Sequence, residues 1–231
     1  MTNILWDGQP FSPDVLFLDC DGVIFDSNPM KSGVFAEALR PFGTAAVDRM
    51  LSYHRAHGGI SRYAKLDWFF REVVAVEDVE EAMRAALHRF SELSRAGYRA
   101  LAPRLEALAL LGAHPGPKYV VSGSDERELN SVFAETSCAG RPLREWVDAV
   151  YGSPTPKVEH IGRCIRQHGA DSSRCLLIGD GSGDLRAAEA HGMRFVFIEE
   201  MSDWADGRAV TAGRPRCRVR TGWADVFGPS Q

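Results

Sequence analysis

No stretch of the 231-residue sequence is apolar for the roughly 20 residues that a membrane-spanning helix needs. The opening segment MTNILWDGQPFSPD has no basic start followed by an apolar run, so no export signal is expected and a cytoplasmic location is. Cysteine is sparse: Cys20, Cys138, Cys164, Cys175 and Cys217 are odd in number, scattered and free of any CxxC pair. Neither a disulfide framework nor a zinc site is signalled, and reduced thiols fit best. Positive charge is not in excess, with a formal net charge of −4 and a pI near 6.0, so neither nucleic acid nor an anionic membrane is expected as a partner. Internal repeats and low-complexity tracts are missing as well. Hydrophobic residues at 45% and charged residues at 25% are ordinary for a folded protein and argue against disorder. The length suits one large domain, or a domain carrying a smaller insertion.

What is present is an alternation. Short apolar runs stand at VLFL (15–18), KYVVS (118–122), AVYG (149–152), CLLIG (175–179) and RFVFI (194–198), each of the length of a strand buried on both faces. Helical spacing fills the intervals at about 125–135, 157–168 and 182–191, the last closed by Gly192 as a C-cap. Strand and helix at this pitch predict an α/β fold with a doubly wound parallel sheet. Residues 28–100 break the rhythm. GVFAEALRPF, YAKLDWFFREVVA and VEEAMRAALHRFSEL carry apolar residues three and four apart, which predicts a helical insertion after the first strand. The expected division is a core of residues 1–27 and 101–231 with a helical domain at 28–100. Beyond residue 200 only CRVR reads as a short strand.

In open parallel sheets ligands sit at the carboxyl ends of the strands, so the residues after each strand matter most. They are Asp19-Cys20-Asp21-Gly22, Ser122-Gly123-Ser124, Lys157 past the loop SPTP, and Gly179-Asp180-Gly181-Ser182-Gly183-Asp184. Two acid clusters, a hydroxyl loop and a lysine are thus expected on one rim. A carboxylate can attack phosphorus and split a difficult hydrolysis into two easier steps. Asp180 and Asp184, with one oxygen of Asp19, can hold a hard cation such as Mg²⁺. Lys157 and Ser122 can bind phosphoryl oxygens. Asp21 can protonate the leaving oxygen and later deprotonate water, and Gly22 permits the tight turn. Taken singly these residues are ordinary. Ser122 can simply end a strand, Lys157 can be a solvated helix-start lysine, although lysine is scarce beside arginine, and Asp180 or Asp184 can cap the next helix. Which of those two acids would ligate a cation directly stays open, and Asp26 with Ser27 reads as a hinge.

The segments DCDGVIFDS, VVSGS, the Lys157 region and IGDGSGD, in this order on successive strands, resemble the haloacid dehalogenase superfamily of phosphohydrolases, in particular its β-phosphoglucomutase-like and phosphoglycolate phosphatase-like members with a helical cap. The resemblance covers essentially the whole chain and implies Asp19 as nucleophile and Asp21 as general acid and base. It implies Ser122, Gly123 and Lys157 as the phosphate-binding set. Asp180 and Asp184 would bind magnesium with Asp19 and the backbone carbonyl of Asp21. Members that cleave carbon–halogen or carbon–phosphorus bonds lack an acid two residues beyond the nucleophile, so Asp21 points to a phosphate ester.

The insertion holds HGGISRYAKLDWFF, residues 57–70. A Gly-Gly turn with Gly59, a helix-start Ser61 and Arg62 in the first turn could present N–H groups and a guanidinium to an anion. The plain alternative is a glycine hinge and an N-cap serine with Arg62 solvated. GISR is similar to the substrate-specificity loop of β-phosphoglucomutase-like caps, where the arginine meets the phosphate that is not transferred. Those mutases carry a hinge histidine, and the matching stretch SNPMKSGVF has none, with Lys31 near its place. A phosphatase acting on a sugar phosphate, sugar-acid phosphate or similar small metabolite is therefore expected over a phosphosugar mutase or an inactive binding protein. Lys31 and Arg62 are the candidate readers of a second anionic group. Lys65 reads as a surface or substrate-binding residue and Tyr63, Trp68 and Phe69 as cap core, while His54 and His57 could contact substrate, although surface histidines are usually idle. Receiver domains also gather acids, a hydroxyl and a lysine on such a sheet, but the motif order here argues against one. A monomer or homodimer is expected.

Overall fold

A computed structural model of the chain describes residues 4–227. Its centre is a six-stranded sheet, every neighbouring pair parallel. The chain opens with a hairpin, β1 (Ile4–Trp6) and β2 (Gln9–Phe11). Asp7 and Gly8 both have positive φ, 53° and 76°, which suits the two-residue turn of a twisted hairpin. The first sheet strand is β3 (Leu16–Leu18) and the next is β4 (Lys118–Asp125). A two-residue hairpin follows, β5 (Ser137–Cys138) with β6 (Arg141–Pro142), then β7 (Ala149–Ser153), β8 (Leu176–Gly179), β9 (Arg194–Ile198) and β10 (Cys217–Arg220). The sheet order is β10-β9-β8-β3-β4-β7. From β3 the chain winds out to β4 and β7, then returns to the other side of β3 at β8. The winding reverses at β3, where a crevice at the carboxyl ends is expected to bind ligand.

Alternation along the strands makes two cores. Leu16, Leu18, Val120, Ile178 and Ile198 face one layer, which includes α5 (Leu105–Ala113) and α6 (Glu126–Glu135). Phe17, Val121, Leu177, Phe195 and Phe197 face the other, which includes α7 (Lys157–His168) and α8 (Ser182–Ala190). Between β3 and β4 lie α1 (Asn28–Leu39), α2 (Thr44–Ala56), α3 (Arg62–Trp68) and α4 (Val79–Arg99). This helical insertion has its own buried cluster, including Phe35, Leu39, Met50, Leu66, Phe69, Phe70 and Phe90. At about 1.5–3 kcal/mol for each fully buried large apolar side chain, such a cluster can support the insertion's internal packing. Its helices start where capping chemistry allows: Ser61 Oγ accepts from Ala64 N at 3.3 Å, and Asp78 Oδ1 from Glu81 N at 2.9 Å.

The strand and helix expectations hold with small shifts. The second sheet strand runs three residues further than Ser122, and its register against β7 slips between Val121 and Asp125. Irregularities of this kind re-aim side chains next to active sites, and here Ser122 and Ser124 are both delivered to the rim. Among the described residues no helix is long and apolar enough to cross a membrane.

Candidate active site

Asp19 follows directly on β3 and is 3% exposed. Its N–H donates to the Ile178 carbonyl at 2.9 Å, so the chain still runs with the sheet at that residue. It then folds sharply: Ile24 and Phe25 both donate to the Cys20 carbonyl, and Gly22 donates to the Phe25 carbonyl at 2.8 Å. Gly22 sits at φ +71°, and a Cβ there would overlap the Asp180 carboxylate and the Asn28 amide. No other residue type fits that turn without displacing an acid of the site.

Asp180 continues from β8, and Asp184 lies in the first turn of α8, its Oδ2 accepting from Gly181 N at 3.0 Å. Lys157 is the first residue of α7 and reaches across with Nζ 3.2 Å from Asp19 Oδ1 and bonded to Asp184 Oδ1. One oxygen each of Asp19, Asp180 and Asp184 lies within 4.8 Å of the others, and all three residues are buried. Three carboxylates and one ammonium leave unbalanced negative charge. Burial first, then Asp184 and Asp21, push Asp19 up to about 8 against the pull of Lys157. Burial, Asp19 and Asp184 also raise Asp180 well above the ordinary carboxylate range. An oxygen-only donor set carrying excess negative charge fits a hard divalent cation.

That electrostatic state predicts a measurable pH dependence. Asp19 moves from 3.8 to about 8 on folding, so the folded protein holds this proton more tightly than the unfolded chain. The associated stability is complete below 3.8 and is lost as pH rises through 8. Thermal melts in chelator should fall in Tm across that interval, and Mg²⁺ should raise Tm more at pH 8 than at pH 5. A pH-independent increment would show that Mg²⁺ does not compete with this proton.

Asp21 is held by hydroxyls. Ser27 Oγ and Tyr98 OH each donate to its Oδ1 at 2.5 Å, Ser124 Oγ donates to Oδ2 at 2.6 Å, and Lys31 Nζ stands 4.0 Å from Oδ1. Burial alone would raise its pKa, but Lys31 and the three hydroxyl donors together hold it below the ordinary value. The sequence places Ser124 on the rim without giving it a role, and it does not single out Tyr98 or Asn28 as groups of the site. Asn28 Nδ2 bridges Asp180 Oδ2 and the Met201 carbonyl, 2.7 Å from each. The second serine of VSGS and the asparagine after DS are the only available signals, and Tyr98 lies unmarked on an amphipathic helix.

The insertion closes over this cluster through main chain. Gly183 N donates to the Gly58 carbonyl at 3.0 Å, occupying an N–H of the first turn of α8. Cβ atoms placed on Gly59, Gly123 or Gly183 would meet facing backbone at 3.1, 2.8 and 2.9 Å respectively. Glycines on the two sides are what permit this approach. Beneath lies a cavity of about 60 Å³ with Asp19, Asp21, Lys31, Arg62, Lys65 and Ser122 in its wall.

Several solvent-exposed readings for the insertion need correction, among them the plain alternative for Arg62. Arg62 is not solvated: it is 6% exposed, donates from Nη1 to Glu128 Oε2 at 2.8 Å and lies 3.6 Å from Asp125 Oδ2. Lys31 is buried and bonds Ser94 and Ser124 at 3.1 and 3.0 Å, with Glu128 Oε1 at 3.7 Å. Lys65 is 3% exposed rather than on the surface, and its Nζ lies 2.8 Å from Nδ1 of His54, which is not idle. Ser61 is the N-cap of α3, and Gly59 lies in the glycine seam. Phe69 is cap core as expected, whereas Tyr63 is only half-buried and its hydroxyl donates to Asp125 Oδ2 at 2.6 Å.

Comparison with known proteins adds three findings. The model of a family of hydrolases, the haloacid dehalogenase-like hydrolases, matches residues 13–192. No curated protein matches the chain. Among solved structures, a predicted phosphoglycolate phosphatase of Haemophilus somnus 129pt matches with a TM-score of 0.69 at 15% identity, over 92% of this chain and 96% of that one. CbbY of Rhodobacter sphaeroides in complex with phosphate matches with a TM-score of 0.65 at 18% identity, over 92% and 96% of the two chains. A variant of CbbY in complex with xylulose-(1,5)bisphosphate gives 0.64 at 18% identity with the same coverage. At such identities the likeness establishes a shared fold.

Proposed function

The chain belongs to the haloacid dehalogenase-like hydrolase family, and from that premise we propose that it is a Mg²⁺-dependent phosphomonoesterase acting on a small phosphorylated metabolite through an aspartyl-phosphate on Asp19. The observation that carries this reading is the buried convergence of Asp19, Asp180 and Asp184 with Lys157 at the carboxyl ends of β3 and β8. Phosphate and a sugar bisphosphate in complexes of CbbY support a phosphorylated sugar as substrate class, with a sugar-acid phosphate as the related candidate. We place the division between core and cap at residues 28 and 100, and the protein in the cytoplasm, where its five free thiols would stay reduced.

In this reading an Asp19 oxygen attacks phosphorus, the bond from phosphorus to the ester oxygen breaks, and a proton from Asp21 goes to the departing alkoxide. Water then attacks the acyl phosphate, Asp21 takes its proton, inorganic phosphate leaves, and Asp19 is restored. Asp21 as it stands is the ionised carboxylate, the form that accepts the water proton; the first half-reaction needs it reprotonated. Lys157 and Ser122 meet the phosphoryl oxygens. Mg²⁺ would be held by Asp19, Asp180 and the backbone carbonyl of Asp21, and would offset repulsion between the nucleophile and the phosphoryl oxygens. Asp184 is engaged through both oxygens by Lys157 and Gly181 N, whereas among the described residues only Oδ2 of Asp180 carries a hydrogen bond, which favours Asp180 as the direct ligand. The cap, closed over the site, excludes bulk water and must open for exchange.

The test is phosphate release from a panel of sugar, sugar-acid and aryl phosphates with Mg²⁺ and with chelator. Release that requires Mg²⁺ and stops in Asp19→Asn is the expected result. Isomerised phosphosugar without free phosphate would make the protein a mutase, and no turnover at all would make it a binding protein.

A further inference from the structure

Three cations of the insertion border the cavity above Asp19, and their charges are in different states. Lys31 faces Asp21 and Glu128, at 4.0 and 3.7 Å, while Arg62 faces Glu128 and Asp125, at 2.8 and 3.6 Å. Two cations are thus set among three carboxylates. Glu128, itself 4% exposed and bonded by Ser94 at 2.7 Å, belongs to α6 of the core and ties both cations to it, and Glu128, Asp21 and Asp125 together neutralise them. Lys65 is in another condition. Among the described residues no carboxylate comes within 4.0 Å of its Nζ. Its contacts are His54 Nδ1 at 2.8 Å and the His54 carbonyl at 3.5 Å, beside the Phe35 ring. Because an ammonium can only donate, Nδ1 must supply a lone pair, so His54 is neutral with its proton on Nε2. Burial first, then Lys65, draws His54 down to about 3, consistent with a neutral ring. An ammonium held by a neutral acceptor has no carboxylate in contact, and burial first, with Lys31, lowers Lys65 to about 8 against the pull of the more distant Asp21, Asp180 and Asp203. Asp203 borders the same cavity without pairing with it.

We propose that Lys65, positioned by His54, is the specificity-determining cation of this site, taking a single carboxylate on the alcohol that departs from phosphorus, while Arg62 and Lys31 serve to join insertion and core. The proposal rests on the phosphomonoesterase reading above. Charge arithmetic selects a carboxylate over a second phosphate. A phosphate monoester carries about −1.5 to −2 charges at neutral pH and would need more than one uncompensated cation. Glu128 and Asp125 would repel its surplus charge. A carboxylate carries one charge and matches the one cation of the three that has no carboxylate in contact. Arg62 remains a donor to uncharged hydroxyls, since its buried Nε has no hydrogen-bond partner.

Matched sets test this. At a two-carbon length they are 2-phosphoglycolate, 2-hydroxyethyl phosphate and ethylene glycol bisphosphate; at six carbons, 6-phosphogluconate, sorbitol 6-phosphate and sorbitol 1,6-bisphosphate. In whichever set turns over faster, wild-type enzyme should favour the carboxylate member in kcat/KM by at least tenfold. Lys65→Met should cut that preference at least tenfold, chiefly through KM, and His54→Ala should cut it by less. Preference of the wild type for the hydroxyl or bisphosphate member, or an unmoved ratio in Lys65→Met, would overturn the proposal. Calorimetry on Asp19→Asn with Mg²⁺ gives the same ranking as affinities and needs no Lys65 variant. If nothing in either set nor p-nitrophenyl phosphate is hydrolysed or bound, the phosphomonoesterase reading falls and takes this proposal with it. Hydrolysis with the order reversed overturns the role of Lys65 alone.

Discussion

Asp19→Asn lowers kcat by at least about 10³-fold on every substrate while the protein stays folded, as expected for loss of a covalent nucleophile. The substitution is isosteric. The carbonyl oxygen of the new amide can keep the bond from Cys20 N, which in the native protein reaches Asp19 Oδ1 at 2.7 Å. What disappears is a charge that burial, Asp184 and Asp21 all oppose. The variant should therefore melt higher than native protein in chelator at pH 8, and Mg²⁺ should raise its Tm less. The pairing of lost turnover with gained metal-free stability separates removal of a strained nucleophile from damage to the fold. Turnover within tenfold of native would exclude Asp19 as the group that receives the phosphoryl.

The second large effect is at Asp21. Asp21→Asn should slow kcat by about 10²–10⁴-fold, the range general acid–base catalysis supplies, with KM changed far less. Its surroundings can accept the amide. Ser27, Tyr98 and Ser124 approach through rotatable hydroxyls, each of which can turn from donor to acceptor, so an NH₂ in place of one oxygen need not leave a buried group without a partner. A good leaving group needs little protonation, so with p-nitrophenyl phosphate the first half-reaction should suffer least and phosphorylated enzyme should accumulate. Mass spectrometry of the quenched variant should show that species. Native turnover by Asp21→Asn would remove its acid–base role.

Much of the fold can be read from strands short enough to lie buried on both faces. The rim can be read because such a sheet presents its strand ends together, which is why Asp19, Ser122, Lys157, Asp180 and Asp184, spread over 19–184, meet in space. The surroundings of Asp21 are harder. Tyr98 is 77 residues away and Ser124 is 103, and nothing local marks their hydroxyls for one carboxylate. Glu128 looks like any acid in the first turn of a capped helix, and its two cations come from the insertion. Helix α5 escapes a reading by periodicity because LEALALLGA is apolar almost throughout and shows no one-sided stripe. The N-terminal hairpin carries its signal in plain sight, Asp7-Gly8 between ILW and QPF, a dipeptide that favours the turn found there.

The glycine seam between insertion and core bears on how such a protein diversifies. Contact there is made by Gly58, Gly59, Gly123 and Gly183 through main chain alone. A seam without side chains offers mutation nothing to retune except size, so selection can act on it only to keep it small. A position such as Lys65, which borders the cavity but bonds only within the insertion, is free to change without disturbing how the two parts meet. Descendants of this chain could thereby acquire new selectivities one side chain at a time while inheriting the same lid.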